Sequence, residues 1–406
     1  MRISSTQYFN MNVATMSDQQ AQLSQLYQEI SSGVSLSTPS DNPLGAAQAV
    51  LLSSTATSLS QYTTNQTTAL ASLQQEDSTL GSVNTVLQSI HTLVLQAGDG
   101  SLNDGDRGSI ATQLQSLRSQ LMTLANATDP QGNALFGGYQ STAQPYTTNS
   151  AGVVTYSGDT GTPSMQITST HTIQTGDNGL AIFGSVAAIG TSSVPAATTG
   201  NTGTGVISTV SLTNPTNPAN ADTYKINFTS ATTYTVTQTP PGGTATTSGP
   251  QPFTAGSAIT LGGQTVNITG APNAGDSFTV TPATQGSTDV FANLSQLITT
   301  LQTPVSGGAS TASYQSALTT SMTQLENTMN NVVTAQAAVG GREQEVQALQ
   351  TVTQTNTLQT SSNLADLTQT DMAKTIGQYT MTQNALQAAQ QAFVKIQSVS
   401  LFQYLN

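Results

Sequence analysis

The chain has 406 residues, of which only 6% are charged, and its 7 basic and 19 acidic residues give a formal net charge of −12. With no basic stripe, the composition argues against a nucleic-acid partner and against an anionic membrane surface. The chain has no cysteine and only two histidines, a composition that excludes disulfides and supports no zinc site.

The N-terminal segment carries no recognisable targeting signal. Residues 1–7 lack the apolar core of a secretory signal peptide. No uninterrupted apolar run approaches the roughly 18 residues that a membrane span requires. We therefore expect no membrane anchoring and, for an extracellular protein of this kind, a dedicated exporter.

A first helix is predicted over residues 6–32, ending at Gly33, which can adopt the left-handed conformation common after helix ends. Its apolar residues keep a heptad spacing, which places them on one stripe that must pack against another helix. These residues are Phe9, Val13, Met16, Leu23, Tyr27, Ile30 and Val34.

A turn motif, Ser40-Asp41-Asn42-Pro43, precedes the second predicted helix. Pro43 suits the first helical position and Asn42 the capping position. We predict that Ser40, Asp41, Asn42 and Pro43 fix how the first two helices fold back on each other. Ordinary capping explains the pattern equally well, and both interpretations can hold.

The second helix is predicted to continue to about residue 96, again in one heptad phase. Its apolar positions are Leu59, Tyr62, Ala69, Leu73, Leu80, Val83, Leu87, Ile90 and Val94, and the polar Gln66 and Glu76 fill the two remaining positions. A third helix follows an acidic turn at residues 99–106. That turn fails as a calcium-binding EF-hand, because Asp104 stands where glycine is needed and Ile110 where glutamate is needed.

The middle of the chain is rich in Thr, Gly and Pro and is predicted to form β-strands. Runs of β-branched and aromatic residues occur at 153–156, 224–228, 234–236, 264–268 and 278–280. We predict a first β unit at 141–190 and a second β domain, an insertion, at 200–285. The small-residue stretch 189–205 is interpreted as the linker between them.

Helices resume at about residue 290, are interrupted at 304–310, and then follow a second long heptad pattern. The last helix carries Met372, Ile376, Tyr379, Leu386, Ala389, Phe393 and Ile396. The chain ends in an apolar cluster of Leu401, Phe402, Tyr404 and Leu405. This cluster is predicted to enter a groove of another molecule, or to pack onto the chain's own N-terminal helix.

The predicted fold is a multidomain α+β protein. Helical segments 1–140 and 287–406 pack as one coiled-coil-like domain, with the all-β middle inserted between them. Many heptad positions hold Ser, Thr, Gln or Asn, so we expect ends that are marginally ordered alone and stabilised by neighbours. The predicted assembly seam comprises Phe9, Val13, Met16, Leu23, Ile30, Leu73, Leu80, Leu87, Val94, Met372, Ile376, Leu386 and Phe393.

No catalytic constellation is recognisable. Glu76 and Asp77 are adjacent on a helix and face different directions, so they cannot act as a carboxylate pair. No serine lies in a nucleophile elbow, and the glycines at 200–205 lack the spacing of a dinucleotide-binding loop. We predict a non-enzymatic assembly protein without a cofactor.

Short motifs at both ends occur in a fixed order. They are Arg2-Ile3-Ser4, Phe9, Glu29-Ile30-Ser31-Ser32-Gly33, Pro39-Ser40-Asp41-Asn42-Pro43, Asn133-Ala134-Leu135-Phe136-Gly137-Gly138, Asn363-Leu364-Ala365-Asp366, and Ser400-Leu401-Phe402-Gln403-Tyr404-Leu405. Jointly they resemble the flagellin superfamily and, within it, the hook-associated protein 3 family of hook–filament junction proteins. The resemblance covers about residues 1–185 and 287–406.

The resemblance implies a structural component of the bacterial flagellum, exported by the flagellar type III apparatus without a cleaved signal peptide. It implies as partners the first hook-associated protein, flagellin, copies of the same chain in a ring, and an export chaperone. The family alternative is flagellin itself. An alternative of another class is a Thr-rich surface adhesin with a helical stalk.

Overall fold

The computed structural model describes residues 5–36, 38–40, 42–150 and 152–402. The helices of this part are α1 (Ser5–Ser32), α2 (Pro43–Ala97), α3 (Asp104–Ala125), α4 (Gly179–Phe183), α5 (Val290–Gln302), α6 (Gly308–Thr368) and α7 (Met372–Phe402). The predicted fold class is confirmed, because long helices at both ends flank a β-rich middle. The predicted domain limits stay a prediction.

The chain forms two compact units. One contains residues 1–64 and 349–406, and the other contains residues 65–348. In the first unit α1 packs along α7. The ring of Phe9 lies 5.2 Å from that of Phe393, and Val34 pairs with Gln369 in an isolated antiparallel bridge. The two helices therefore run in opposite directions.

The ends of the first two helices follow the sequence prediction. Gly33 has a φ of 70° and donates its N–H to the carbonyl of Glu29 at 2.8 Å. Helix α2 begins at Pro43, and the side-chain oxygen of Asn42 accepts the N–H of Gly45 at 3.0 Å. Asn42 thus satisfies one of the N–H groups that a helix start leaves without an intrahelical partner.

In the second unit α2 and α6 run antiparallel. His91 lies 3.8 Å from Glu326, and farther along α2 Ala97 accepts a hydrogen bond of 2.6 Å from the hydroxyl of Tyr314. Later residues of α2 therefore contact earlier residues of α6, as in an antiparallel pair. Most heptad residues of both helices are buried: Ala69, Leu73, Leu80, Val83, Leu87, Ile90, Val94, Leu318, Leu325, Val332, Val339 and Val346. Leu59 and Tyr62, nearer the start of α2, are only half-buried.

Helix α3 begins with a capping box and packs against α5. The side chain of Asn103 accepts the N–H of Asp106 at 3.0 Å, and the carboxylate of Asp106 accepts the N–H of Asn103 at 3.1 Å. The acidic turn therefore caps α3.

The strands lie between α3 and α5. They are β1 (Tyr146–Thr148), β2 (Val154–Tyr156), β3 (Ser164–Gln166), β4 (Thr172–Gln174), β5 (Val194–Ala197), β6 (Val206–Ile207), β7 (Ser211–Leu212), β8 (Thr223–Ser230), β9 (Thr233–Thr239), β10 (Thr246–Thr247), β11 (Gln251–Pro252), β12 (Ala258–Leu261), β13 (Gln264–Thr269) and β14 (Ser277–Thr281). Strands β1 and β2 form one small antiparallel pair, and β3 and β4 form another.

The remaining strands form two antiparallel sheets. The larger has the order β10-β9-β8-β14-β5, with β11 also on β9, and the smaller has the order β12-β13-β6, with β7 also on β13. Residues of both sheets share one core, which includes Tyr224, Phe228, Ile268, Phe278 and Val280. The second β domain therefore has a hydrophobic core of its own.

Strand β5 lies inside the stretch that the sequence predicted to be a linker, so that part of the prediction is wrong. Its residues Val194–Ala197 pair with β14. The run Val-Pro-Ala-Ala offers little β propensity, and its proline is typical of a loop. At the edge of a sheet, however, proline is tolerated because one side of the strand donates no ladder hydrogen bonds.

Candidate assembly surfaces

The apolar seam of the first unit is only partly covered in the single chain. Phe9 and Val13 on α1 are each 45% exposed, and Met372 and Ile376 on α7 are also exposed. The other seam residues of these two helices are half-buried: Met16, Leu23, Ile30, Leu386 and Phe393. Contiguous exposed apolar surface marks an interaction site in a soluble protein. The structure thus leaves apolar surface on α1 and α7 exposed, and the part of this surface in assembly stays a prediction.

Helices α2 and α6 add exposed apolar residues that the sequence prediction missed. Leu44, Val50 and Leu51 on α2 and Leu358 on α6 are each at least 68% exposed. The heptad pattern predicts the buried stripe, and these residues lie off that stripe. The signal that could have found them is a large aliphatic residue outside the heptad positions.

The inner seam residues have a different environment. Leu73, Leu80 and Leu87 are 0% exposed and Val94 is 2% exposed, all within the second unit. They are already buried within the single chain. Their part in assembly stays a prediction, and in the folded chain they could influence it only by holding the helices together.

The structure describes the turn motif in part. Ser40 is exposed and hydrogen-bonds Thr38 at 2.7 Å, and Asn42 and Pro43 start α2. Asp41 lies outside the described residues. The capping interpretation of Asn42 therefore has direct geometric support, and a role of the whole motif in assembly stays a prediction.

The C-terminal apolar cluster lies at and beyond the end of α7. Leu401 and Phe402 form the end of α7, and their side chains are outside the described part. Tyr404 and Leu405 lie outside the described residues altogether. Both predicted destinations of the cluster stay predictions.

The two polar heptad positions of α2 bind the first β unit. The side-chain amide of Gln66 donates to the carbonyl of Ile167 at 2.8 Å, and the neighbouring Asn65 donates to the carbonyl of Gln166 at 2.7 Å. Nearly three helical turns farther along α2, Glu76 accepts the N–H of Asp177 at 3.1 Å. These residues interrupt the apolar stripe because they satisfy backbone groups of a segment that covers the helix.

Charged side chains of α6 bind the same segment. Arg342 donates to the carboxylate of Asp177, and Glu345 lies 2.9 Å from His171. Burial, together with the nearby charge of Asp177, raises the pKa of Glu76 to about 8. Burial therefore favours the protonated form of the Glu76 carboxyl group.

Aromatic residues join the first β unit to α5. Tyr146 lies 5.1 Å from Phe291 and 5.7 Å from Phe183, and Phe136 lies 5.5 Å from Phe183, measured between ring centroids. Burial raises the pKa of Tyr146 far above its ordinary value. The hydroxyl group therefore stays neutral, and the cluster acts as a hydrophobic core.

The described part of the chain holds neither of two other kinds of site, a metal site and a membrane span. No group of three or more His, Asp or Glu side chains there is arranged to hold a metal ion. None of the helices described is both long enough and apolar enough to span a bilayer.

Comparison with known proteins confirms the resemblance seen in the terminal motifs. Residues 3–141 match the family model of the bacterial flagellin N-terminal helical region. Flagellar hook-associated protein 3 of Salmonella typhimurium is 27% identical over 404 residues, which covers 99% of each chain. The crystal structure of flagellar hook-associated protein-3 from Legionella pneumophila is 25% identical, with a TM-score of 0.69, and the match covers 78% of this chain and 98% of that one.

A flagellin is similar over a much shorter segment. The flagellin of Listeria monocytogenes is 27% identical over 107 residues, which is 26% of this chain and 37% of that protein. The two similarities therefore differ in extent, since the hook-associated protein matches both ends and the β middle.

Proposed function

We propose that the chain is a structural, non-catalytic protein of the bacterial flagellum that joins the hook to the filament. The observation that carries this proposal is the similarity to flagellar hook-associated protein 3 over 99% of both chains. A match of that extent includes the terminal helices and the β middle together. The proposed location is extracellular, within the flagellum.

The geometry supports an assembly role for the helices of the first unit. Phe9, Val13 and Ile376 keep large exposed fractions although α1 and α7 already pack together. Fully burying an apolar side chain of this size contributes about 1.5–3 kcal/mol, so covering the part that is still exposed contributes roughly half as much, before the costs of association are counted. In a ring of identical chains, each copy would cover part of its neighbour's exposed seam.

The proposed partners are those that the family resemblance implies. The first hook-associated protein lies on the hook side and flagellin on the filament side, with copies of this chain forming the ring between them. Export would use the flagellar type III apparatus, with a chaperone holding the C-terminal helical region until assembly. An apolar surface that is uncovered before assembly is consistent with the need for such a chaperone.

Deletion of the gene separates this proposal from the flagellin alternative. Loss of a junction protein should leave hooks without filaments and release unpolymerised flagellin into the medium. Expression of the wild-type gene from a plasmid should restore filaments. Filaments of normal length and number in the deletion strain would refute the proposal, because a junction protein is required before flagellin can polymerise.

A further inference from the structure

Glu76 is an acidic residue in a heptad core position of α2. Its side chain is only 2% exposed. One carboxyl oxygen accepts the N–H of Asp177 at 3.1 Å, and the other, Oε2, is buried without a hydrogen-bond partner. An ionised carboxylate in such a place would have lost its hydration without receiving enough donors in return.

Among the described residues, the cation at this place is Arg342, which already pairs with another acid, Asp177. Nη2 of Arg342 donates to Oδ2 of Asp177 at 2.5 Å, and its Nη1 donates to the carbonyl of Gln174 at 3.4 Å. The side-chain amide of Gln174 also donates to Asp177. Among the described ion pairs of this site, one guanidinium therefore serves one of two carboxyl groups, and the charges balance when Glu76 is neutral.

We propose that Glu76 is a proton-linked clamp, whose neutral carboxyl group holds the 174–178 loop between α2 and α6 and whose ionisation loosens that loop. The loop follows β4 and leads into α4, so the clamp controls how firmly the first β unit is attached to the two long helices. This proposal is independent of where in the flagellum the protein acts.

Other titratable groups lie on the elements around Glu76. Asp77 follows Glu76 on α2, Glu343 and Glu345 lie on α6, and His171 precedes β4 and pairs with Glu345. Desolvation and, second, the charge of Asp77 raise the pKa of Glu343. The causes that act on Glu76 itself are burial first, then the charge of Asp177, against the opposing charge of Arg342.

The direction of the pH effect follows from linkage. Release of the loop lets the pKa of Glu76 fall from about 8 towards its ordinary value of 4.5. The closed form therefore binds the proton more tightly, and closure is favoured in acid. Between these two values each unit of rising pH increases the released fraction by up to roughly tenfold, and above the upper value the effect levels off.

Hydrogen exchange of the full-length protein tests the clamp. Mass spectrometry follows exchange of the amide groups of Asp177 and its neighbours from pH 5 to 9. Each rate is expressed as a protection factor relative to the unstructured chain, because the pH dependence of intrinsic exchange then cancels. Wild type should lose protection progressively up to about pH 8. Glu76→Gln, which imitates the neutral acid, should keep a constant protection over this range.

Two further variants keep the test decisive. Asp77→Asn removes the adjacent carboxylate on the same helix and should behave like wild type. Asp177→Asn keeps the backbone donor but frees Arg342 for Glu76, and should weaken the pH dependence even if Glu76→Gln folds poorly. Unchanged protection of wild type between pH 5 and 8, or an equal decline in wild type and Asp177→Asn, would overturn the proposal.

Discussion

Phe9 near the start of α1 and Phe393 near the end of α7 bring their rings within 5.2 Å, with the ring planes inclined by 46°. The two residues come from opposite ends of the sequence, so this contact closes the terminal helices on each other. Phe9 nevertheless remains 45% exposed. The pair thus combines a contact within the chain with surface that a neighbouring molecule can cover.

The coupling between these rings can be measured by a double-mutant cycle. Phe9→Ala and Phe393→Ala should each make α1 and α7 open more easily, as seen in the opening free energies from hydrogen exchange. Because the two rings touch, the loss of opening free energy in the double variant should differ from the sum of the two single losses by about 0.5–1.5 kcal/mol. Tyr27 lies on the same predicted stripe of α1 but is 64% exposed in the structure. Tyr27→Ala, eighteen residues from Phe9, should therefore combine additively with Phe393→Ala. Additive behaviour of the Phe9–Phe393 pair would contradict the contact.

Charges in the buried stripe should unfold the long helices of the second unit. Leu80 and Leu87 are both 0% exposed, so Leu80→Asp or Leu87→Asp buries an unpaired charge and should lower the free energy of unfolding by more than about 4 kcal/mol. Chemical denaturation followed by circular dichroism measures this loss. The exposed Gln88→Asp is the matched control and should change stability little.

The second β domain should survive these substitutions. Its core, which includes Tyr224, Ile268 and Phe278, is formed by its own two sheets. Proteolysis of the Leu80→Asp/Leu87→Asp variant should therefore digest the helices and leave a β-rich fragment. Digestion of the β domain at the same rate as the helices would contradict its independence.

Exposed apolar residues on α2 should matter for assembly and little for folding. Val50 is 70% exposed, so Val50→Asp should leave the circular dichroism spectrum and the melting temperature close to those of wild type. The same variant should fail to restore filaments in the deletion strain, since a charge would then face a desolvated interface. Thr55→Asp adds the same charge at an exposed position five residues farther on, on a different face of α2, and should restore filaments. Equal complementation by both variants would exclude Val50 from the interface.

Asp276 is predicted to hold together the loops at one end of the second β domain. Its carboxylate accepts the N–H groups of Thr202 at 2.8 Å, Gly203 at 3.0 Å and Asn273 at 2.8 Å. Asp276→Asn replaces one acceptor oxygen by a donor and should cost about 2–3 kcal/mol. This loss should appear as faster hydrogen exchange in β14. Thr229→Ala, at an exposed position, is the control and should leave the exchange of β14 unchanged. Unaltered exchange in Asp276→Asn would contradict the role.

Heptad spacing and capping chemistry predicted most of the helical structure. The phase that runs through Leu73, Leu80 and Leu87 is the buried face of α2, and Gly33 and Asn42 mark helix ends as expected. These features depend on residues a few positions apart, so the sequence contains the information directly.

Long-range partners could not be predicted in the same way. Gln66 and Glu76 were recognised as the polar members of the stripe, but the groups they bind, at Ile167 and Asp177, are each 101 residues away. The pairing of β5 with β14 likewise depends on a sheet edge formed by distant segments. The polar residues in the stripe thus have a structural role that the spacing did not predict. Two of them, Gln66 and Glu76, bind the first β unit and do not simply weaken the seam.

Immunogold labelling of isolated flagella tests the central claim most directly. An antibody raised against the second β domain should label one narrow band between the hook and the filament, because a junction protein occupies only that position. Labelling along the whole filament would contradict the account and would instead identify the chain as a filament subunit.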